Sequence, residues 1–273
     1  FLTLVNPGAN VLLPEPYFPL YGPDVLIAGG EAKYYPCLFE NEFVPTIETL
    51  ESLVDENTVA ILYNFPSNPT GATLTPNQRD DLLDFAKRHQ LWIITDEVYD
   101  RIVYDVEHVS FLGTGYNRTL MINSFSKTFA MTGWRIGYIC SPNIEAMSQI
   151  IKMQYYITAC SNDAMQYAVL TAFDEASTYP EEMAKEFQAR RDLICSRLNS
   201  MPGVSCHIPK GAFYVFPKVE VPGMNSQELA IELLKGGVLS SPGSAFGESG
   251  EGHLRFAYTV SREDISRGMD KVE

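Results

Sequence analysis

Basic residues are scarce in this sequence. The 273 residues contain 20 lysines and arginines against 34 aspartates and glutamates, which gives a formal net charge of −14 at pH 7. This excess of negative charge argues against nucleic acid or an anionic membrane as a partner, because both are themselves anionic. Long hydrophobic runs are also missing: none approaches the roughly 20 apolar residues of a membrane span, and no signal peptide is visible.

Histidine and cysteine are few and scattered. The four histidines lack metal-ligand spacing, so we expect no metal site. The five cysteines form no Cys-x-x-Cys pair, and their number is odd. Unpaired thiols in a reducing cytosol explain them better than a disulfide framework does, and we therefore expect a cytoplasmic protein.

Strand and helix patterns alternate along the chain, which is 45% hydrophobic and can bury a large core. The runs that predict strands occupy residues 10–13, 59–63, 91–96, 120–124 and 136–140. The helical patterns begin at Thr75, Glu145, Asn162 and about Glu181. At the first of these, Thr75 is suited to be the N-cap residue, and Pro76 is suited to the first turn of the helix. Gln78 can bond back to the cap residue and complete a capping box. This order predicts an α/β fold with a mostly parallel sheet sandwiched by helices.

The pattern changes after the helix that begins near Glu181, which we expect to end near Pro202-Gly203. Residues 211–216 and 253–258 alternate as strands do, and a helix is predicted between them at Ser226–Lys235. The segment Gly247–Gly252 is expected to be a plain surface connection. The apolar stripe of the long helix is predicted to be core; it consists of Met183, Phe187, Ile194, Leu198 and Met201.

Polar clusters follow three of the predicted strands. Asn68-Pro69-Thr70-Gly71 comes after the run at 59–63, Asp96-Glu97-Val98-Tyr99 after the run at 91–95, and Ser124-Phe125-Ser126-Lys127 after the run at 120–124. Open α/β sheets bind ligands at the carboxyl ends of their strands. Each motif alone is also compatible with an ordinary turn or a solvated face, but the three in this order predict a site.

The third cluster is the most informative one. Lys127 lies among hydroxyls, and Arg135 follows eight residues later in Gly133-Trp134-Arg135-Ile136-Gly137. A pyridoxal phosphate enzyme needs this grouping: an amine that forms a Schiff base with the cofactor aldehyde, and hydroxyl donors with a fixed positive charge for the phosphate. The alternative for Lys127 alone is a solvated surface lysine.

Together these motifs resemble those of the class I/II aminotransferases of the fold-type I pyridoxal phosphate superfamily, of the aspartate/aromatic aminotransferase type. The resemblance runs from Pro7-Gly8 to the last residues. Further motifs that carry it are Leu13-Pro14-Glu15-Pro16-Tyr17-Phe18, Asn64-Phe65-Pro66-Ser67, Lys210-Gly211-Ala212-Phe213 and Ser241-Pro242-Gly243-Ser244. It implies a large cofactor-binding domain at residues 1–184 and a smaller α+β domain at 185–273.

The resemblance also implies catalytic roles. Lys127 would form the Schiff base and then move the proton at the substrate Cα, which requires a lowered pKa. Asp96 would keep the pyridine nitrogen protonated; its alternative role is to cap the segment that follows. Tyr99 and Asn68 would bind the phenolic oxygen of the cofactor, although Tyr99 can also be an ordinary packed aromatic residue.

The remaining implied roles concern binding. Ser124, Ser126 and Arg135 would hold the cofactor phosphate, since a guanidinium can make two charge-assisted bonds. Phe18 would stack on the cofactor ring, with Tyr17 as the alternative. Arg255 would bind the substrate α-carboxylate beside Asn68; it stands alone in the apolar run Leu254–Tyr258, so it must face water or an anion, with a structural ion pair as the alternative.

The implied reaction is ping-pong transamination between an L-amino acid and a 2-oxo acid, in a homodimer that binds no nucleic acid and no membrane. Alternatives with the same residues are a β-C–S lyase and an aminocyclopropane carboxylate synthase. A non-enzymatic alternative is the effector domain of an aminotransferase-like transcription regulator. The stretch 153–159 lacks the cation that some family members use for a distal carboxylate, which favours aromatic or small neutral substrates.

Both ends of the sequence suggest a fragment. Phe1–Gly8 resembles the last turns of a helix, there is no initial Met, and Met269–Glu273 stops inside a helical pattern. Family members carry an earlier segment with an N-terminal arm, part of the small domain and a glycine/serine loop for the phosphate. We therefore expect the sequence to be N-terminally incomplete.

Overall fold

A computed structural model describes residues 1–273 and has a six-stranded sheet at its centre. Its strands are β1 (Asn10–Glu15), β2 (Glu31–Pro36), β3 (Thr58–Asn64), β4 (Trp92–Asp96), β5 (Thr119–Ser124) and β6 (Gly137–Cys140). Their spatial order is β2-β1-β3-β4-β5-β6, and only β6 runs antiparallel to its neighbour. The predicted α/β fold with a mostly parallel sheet is confirmed.

Helices cover both faces of this sheet. They are α1 (Tyr21–Ile27), α2 (Ile47–Leu53), α3 (Pro76–Arg88), α4 (Phe125–Thr128), α5 (Ile144–Thr158) and α6 (Asp163–Glu175). Successive residues of β1 point to opposite faces: Leu12 joins a core with Leu50 and Phe85, whereas Leu13 packs in a second core with Val25. Burial on both faces explains why these strands are continuous apolar runs.

The start of α3 follows the predicted chemistry. The Thr75 side chain accepts a hydrogen bond from the Gln78 backbone N–H, and the Gln78 side chain accepts one from the Thr75 N–H. Pro76 occupies the first turn, where its missing N–H costs no intrahelical bond. The capping box is therefore confirmed, and it fixes where the chain turns back towards β4.

The C-terminal part contains α7 (Tyr179–Ser200), α8 (Ser226–Lys235) and α9 (Arg262–Val272). Its short strands are β7 (Val204–Ser205), β8 (Tyr214–Val215), β9 (Lys218–Val219), β10 (Ser241–Pro242) and β11 (Leu254–Ala257). The predicted stripe of α7 is core: Phe187, Ile194 and Leu198 are buried in one cluster with residues of β8, β11 and α9. The predicted helix Ser226–Lys235 is also confirmed.

Some local predictions are wrong. Only two residues of the expected strand at 211–216 pair as a strand, because Ala212 has a positive φ of 57° that breaks the extended backbone. Phe1–Gly8 contains two turns and no helix; Val5 N–H donates to the Phe1 C=O in the first turn, and Ala9 N–H donates to the Asn6 C=O in the second. Gly247–Gly252 is not a plain surface connection, since it begins with a short 3-10 turn at Glu248–Gly250 that buries Gly250. The elements β2, α1 and α2 were not predicted.

None of the helices combines the length and the hydropathy that a membrane span requires.

Candidate active site

The carboxyl ends of β3, β4 and β5 lie side by side, and a cavity of about 270 Å³ opens at this edge of the sheet. Asn64 and Asp96, the last residues of β3 and β4, are direct neighbours in the register. Eight residues predicted from the sequence line this one cavity: Phe18, Asn68, Asp96, Tyr99, Ser124, Ser126, Lys127 and Arg135. The ninth, Arg255, touches the cavity wall through Asn68.

Lys127 lies on α4, the four-residue helix that follows β5. The Ser124 hydroxyl caps this helix by accepting a hydrogen bond from the Ser126 N–H at 3.1 Å. The Lys127 Nζ lies 5.8 Å from the ring centroid of Tyr99 and 5.3 Å from that of Phe213. Burial lowers the pKa of the Lys127 ammonium, and the nearby charges of Arg135 and Arg255 lower it further, against the opposing effect of Asp96. The lysine therefore has the lowered pKa that a proton-transferring amine needs.

Asp96 ends β4 at the inner wall of the cavity. One of its carboxylate oxygens accepts a hydrogen bond of 2.6 Å from the Tyr21 hydroxyl, and the other accepts one of 3.2 Å from the Val98 N–H. The second bond shows that Asp96 also caps the following turn, as its alternative role predicted. Burial raises the pKa of the Asp96 carboxyl, while these two hydrogen bonds oppose the rise. A carboxylate in this setting favours a cationic partner in the cavity.

Tyr99 and Asn68 reach the cavity from different segments. The Tyr99 hydroxyl lies 3.1 Å from the hydroxyl of Tyr214, and burial strongly raises the pKa of Tyr99. The backbone N–H of Asn68 donates to the side-chain oxygen of Asn64 at 2.9 Å. Asn64 in turn donates to the Asp96 C=O at 3.1 Å, so the turn that carries Asn68 is tied to the end of β4.

Ser124, Ser126 and Arg135 form the polar rim on the β5 side. The two serine hydroxyls are 2.9 Å apart, and the Thr132 hydroxyl donates to the Ser126 C=O at 3.1 Å. Arg135 is exposed, has a left-handed φ of 54° and donates to the Thr132 C=O at 3.0 Å. Thr132 thus connects the two parts of this rim. Two hydroxyls and a guanidinium are suitable donors for a phosphate group.

Arg255 lies on β11 between two aromatic rings, with its guanidinium 4.7 Å from the ring centroids of both Tyr214 and Phe246. It donates to the Asn68 side-chain oxygen at 3.0 Å and to the Ser241 hydroxyl at 3.1 Å. Its Nε is buried without a hydrogen-bond partner. Burial lowers its pKa, and no carboxylate contributes to that pKa. The structural ion pair, the alternative for Arg255, is therefore wrong.

The two candidates for the ring-stacking position are separated by the geometry. Phe18 lines the cavity. Tyr17 instead stacks on Tyr34, with ring centroids 4.8 Å apart. Of the two, only Phe18 presents its side chain to a ligand in the cavity.

Five residues of the cavity wall were not predicted: Tyr21, Asn64, Val98, Thr132 and Tyr214. Asn64 was accessible to the same strand-end argument as Asp96, because it is the last residue of β3. Thr132 lies between two predicted residues in the sequence. Tyr21 and Tyr214 carried no such signal, since each reaches the site only through the tertiary fold.

The chain matches the family described as "Aminotransferase class I and II" over residues 1–272. It is 40% identical over 272 residues to an aspartate aminotransferase of Pyrococcus abyssi, covering 97% of this chain and 69% of that protein. It is also 40% identical over 277 residues to aromatic-amino-acid aminotransferase 2 of Thermococcus litoralis, covering 99% of this chain and 71% of that protein.

A solved structure agrees with these relatives. The aromatic aminotransferase from Pyrococcus horikoshii OT3 has a TM-score of 0.95 and 38% identity to this chain, and the alignment covers 99% of this chain and 74% of that one. The resemblance that the motifs indicated is confirmed, and so is the predicted enzyme class. This chain belongs to the class I and II aminotransferases, a family of pyridoxal phosphate enzymes that move amino groups between amino acids and 2-oxo acids.

Proposed function

We propose that this aminotransferase binds pyridoxal phosphate in the cavity at the ends of β3, β4 and β5. There it transfers the amino group of an L-amino acid to a 2-oxo acid in two half-reactions that both use Lys127. The observation that carries the proposal is that one cavity brings together a half-buried amine with a lowered pKa at Lys127 and a carboxylate with a raised pKa at Asp96.

The donor set fits this cofactor. Lys127 provides the amine, Asp96 a buried carboxylate for the ring nitrogen, and Ser124, Ser126 and Arg135 the donors for a phosphate. When bound, pyridoxal phosphate supplies an aldehyde for an amine and a ring that withdraws electrons from the substrate Cα. The buried Nε of Arg255, which has no partner, is a further donor available to an anionic ligand.

The residues of the chain then have separate tasks. Lys127 would take the proton from the substrate Cα and pass it to the bound cofactor in the first half-reaction, and would supply the Cα proton of the new amino acid in the second, for which an amine with a lowered pKa is suited. Asp96 would hold the ring nitrogen, and its negative charge would keep a proton there. Tyr99 and Asn68 would donate to the phenolic oxygen, and Phe18 would pack on the ring face.

We assign the α-carboxylate of the substrate to Arg255. Its guanidinium already has hydrogen bonds to Asn68 and Ser241 and is held between two rings, so its direction is restrained before the substrate arrives. A restrained guanidinium loses little side-chain entropy when it binds a carboxylate.

The amino donor is proposed to be aromatic or small and neutral. The aromatic side chains of Phe18 and Tyr214 line the cavity, and the stretch 153–159 contributes no cation for a distal carboxylate. The two relatives described above are named for aspartate and for aromatic amino acids, so a dicarboxylate donor is the competing outcome of the test. Their names give no support to the lyase, synthase or regulator alternatives.

A homodimer is proposed as the working form. The outer faces of α5 and α6 expose large apolar side chains, among them Ile144, Tyr156, Tyr167 and Leu170. Exposed apolar surface of this kind marks an interaction site.

We further propose that the chain divides into two domains between residues 184 and 185, a boundary that lies within α7. We also propose that the protein is located in the reducing cytosol, where its five free cysteines would stay unpaired.

An amino-donor screen with 2-oxoglutarate tests this function. We expect the highest rates with aromatic or small neutral L-amino acids, and Lys127→Ala to abolish turnover with every donor. Borohydride reduction followed by peptide mapping is expected to place the cofactor on Lys127. Cofactor attached to another lysine, or turnover that survives in Lys127→Ala, would contradict the assignment.

A further inference from the structure

Glu15, the last residue of β1, holds a segment from the other end of the chain. One of its carboxylate oxygens accepts a hydrogen bond from the Glu248 N–H at 3.1 Å. The other accepts from the Ser249 N–H at 3.2 Å and from the Ser249 hydroxyl at 2.6 Å. Bonds to an ionised acceptor are among the stronger hydrogen bonds in proteins, so three of them on one carboxylate make a firm attachment.

The backbone beside this contact is closely fitted to it. The Tyr17 N–H donates to the Phe246 C=O at 2.9 Å, which adds a second connection between the two segments. Gly247 has φ of 111°, and a Cβ at this position would lie 2.3 Å from a Glu15 carboxylate oxygen. No side chain fits between Glu15 and this turn, so the contact requires glycine here.

The attached segment forms one wall of the Arg255 site. Phe246 is buried, and its ring centroid lies 4.7 Å from the Arg255 guanidinium. The same ring packs at 5.9 Å against Phe216 in the main core. The position of Phe246 therefore depends on the backbone of residues 246–249, which Glu15 and Tyr17 hold.

We propose that Glu15 is a positioning residue for substrate binding, which acts through Phe246 on Arg255. Its carboxylate fixes residues 246–249 at the end of β1, and Phe246 then keeps the guanidinium directed towards Asn68. Glu15 does not line the cavity, so it is not a catalytic residue. This inference rests on the proposed role of Arg255 as the site of the substrate α-carboxylate.

Glu15→Ala tests the inference, with Glu248→Ala as the matched control. Each variant removes one carboxylate from this part of the molecule, but Glu248 takes part in the contact only through its backbone N–H, which the control retains. We expect Glu15→Ala to raise KM for the amino acid about tenfold and to leave kcat within about twofold, because the loss falls on substrate binding and not on the chemical step. Glu15→Gln keeps an acceptor oxygen, so its KM is expected to lie between that of Glu15→Ala and that of the control.

Hydrogen exchange of the cofactor-free protein supplies a readout that does not depend on activity. The amides of Glu248 and Ser249 are expected to exchange faster in Glu15→Ala and at the normal rate in Glu248→Ala, except for local sequence effects. If Glu15→Ala does not fold, two other variants test the same contact: Glu15→Gln weakens the acceptor, and Gly247→Ala disturbs the turn that Glu15 binds.

The outcomes separate this inference from the proposed function. An unchanged KM in Arg255→Lys would contradict the α-carboxylate site itself. A raised KM in Arg255→Lys together with an unchanged KM in Glu15→Ala would overturn the role of Glu15 alone, whether or not the two amides exchange faster. A primary amine without a carboxylate should react equally well with Glu15→Ala and with the unaltered protein. If Glu15→Ala lost as much activity with this amine as with the amino acid, the role of Glu15 would also be overturned.

Discussion

The Tyr21 hydroxyl donates a hydrogen bond of 2.6 Å to Asp96 across the floor of the cavity. Tyr21 begins α1 and Asp96 ends β4, so this bond joins a helix on one face of the sheet to the centre of the site. Both groups are buried, and the bond favours the ionised form of the carboxylate. Tyr21 therefore opposes the effect of burial on the residue that the cofactor nitrogen is proposed to meet.

Tyr21→Phe is expected to raise the pKa of Asp96, because it removes a hydrogen bond to the charged form while burial remains. Transamination that requires ionised Asp96 should then lose activity on the acidic side at a higher pH than the unaltered protein does. The measurement is the pH profile of kcat/KM for the two proteins. An acidic limb that does not move would show that Tyr21 has no influence on the titration of Asp96.

Asp96→Asn is expected to reduce kcat strongly and to preserve the fold. The amide is close in shape but brings no charge to the ring nitrogen, and loss of one preorganised electrostatic group typically costs about 10²–10³-fold in kcat. Because burial disfavours the charge of Asp96, the cofactor-free variant should unfold at the same or a higher denaturant concentration. Urea unfolding and turnover at saturating cofactor give the two values. Near-normal turnover would contradict the role of Asp96.

The sequence identified the parts of the site that lie at strand ends. Asp96 and Lys127 were predictable because a buried parallel strand is a continuous apolar run, and the first polar residues after it mark the carboxyl edge of the sheet. Tyr21 and Tyr214 were not predictable in this way. Their hydroxyls meet Asp96 and Tyr99 across 75 and 115 residues of sequence, and no local pattern encodes such contacts.

The same limit applies to the turn at Gly247. Glycines and polar residues at 247–252 indicated a surface connection, which is the usual structure for that composition. Glu15, whose carboxylate accepts the hydrogen bonds from this turn, lies near the other end of the chain as the last residue of β1. Local composition therefore predicted a plain surface connection and could not predict that Glu15 holds this segment.

Glu97 is expected to contribute to stability and not to chemistry. It is buried next to Asp96, and its carboxylate accepts hydrogen bonds from the side chains of Thr95, His108 and Ser110 and from the Phe111 N–H. Glu97→Ala leaves these donors unsatisfied, and we expect it to lower the free energy of unfolding by about 3–5 kcal/mol.

Urea unfolding of the cofactor-free protein measures this loss. Glu107→Ala is the control, because it removes an exposed carboxylate from the same segment and should change the free energy of unfolding by less than about 0.5 kcal/mol. Equal stability of the two variants would show that the four hydrogen bonds to Glu97 contribute nothing net.

His253 is expected to make stability depend on pH. Its ring is buried and stacks on Phe216 at 4.9 Å, and its Nε2 has no hydrogen-bond partner. Burial lowers the pKa of His253 from its ordinary value of 6.5, so the unfolded chain takes up a proton at a higher pH than the folded protein does. The contribution of neutral His253 to stability is therefore complete above pH 6.5 and declines as the pH falls from there towards the lowered pKa.

Replacing His253 by phenylalanine should remove this contribution to the pH dependence while keeping an aromatic ring against Phe216. We expect the Tm of the unaltered protein to fall more steeply between pH 6.5 and the lowered pKa than the Tm of His253→Phe does. Because other groups titrate in both proteins, the quantity to compare is the difference between the two Tm profiles. A constant difference across this interval would mean that His253 takes up its proton equally well in the folded and unfolded states, against the effect expected of its burial.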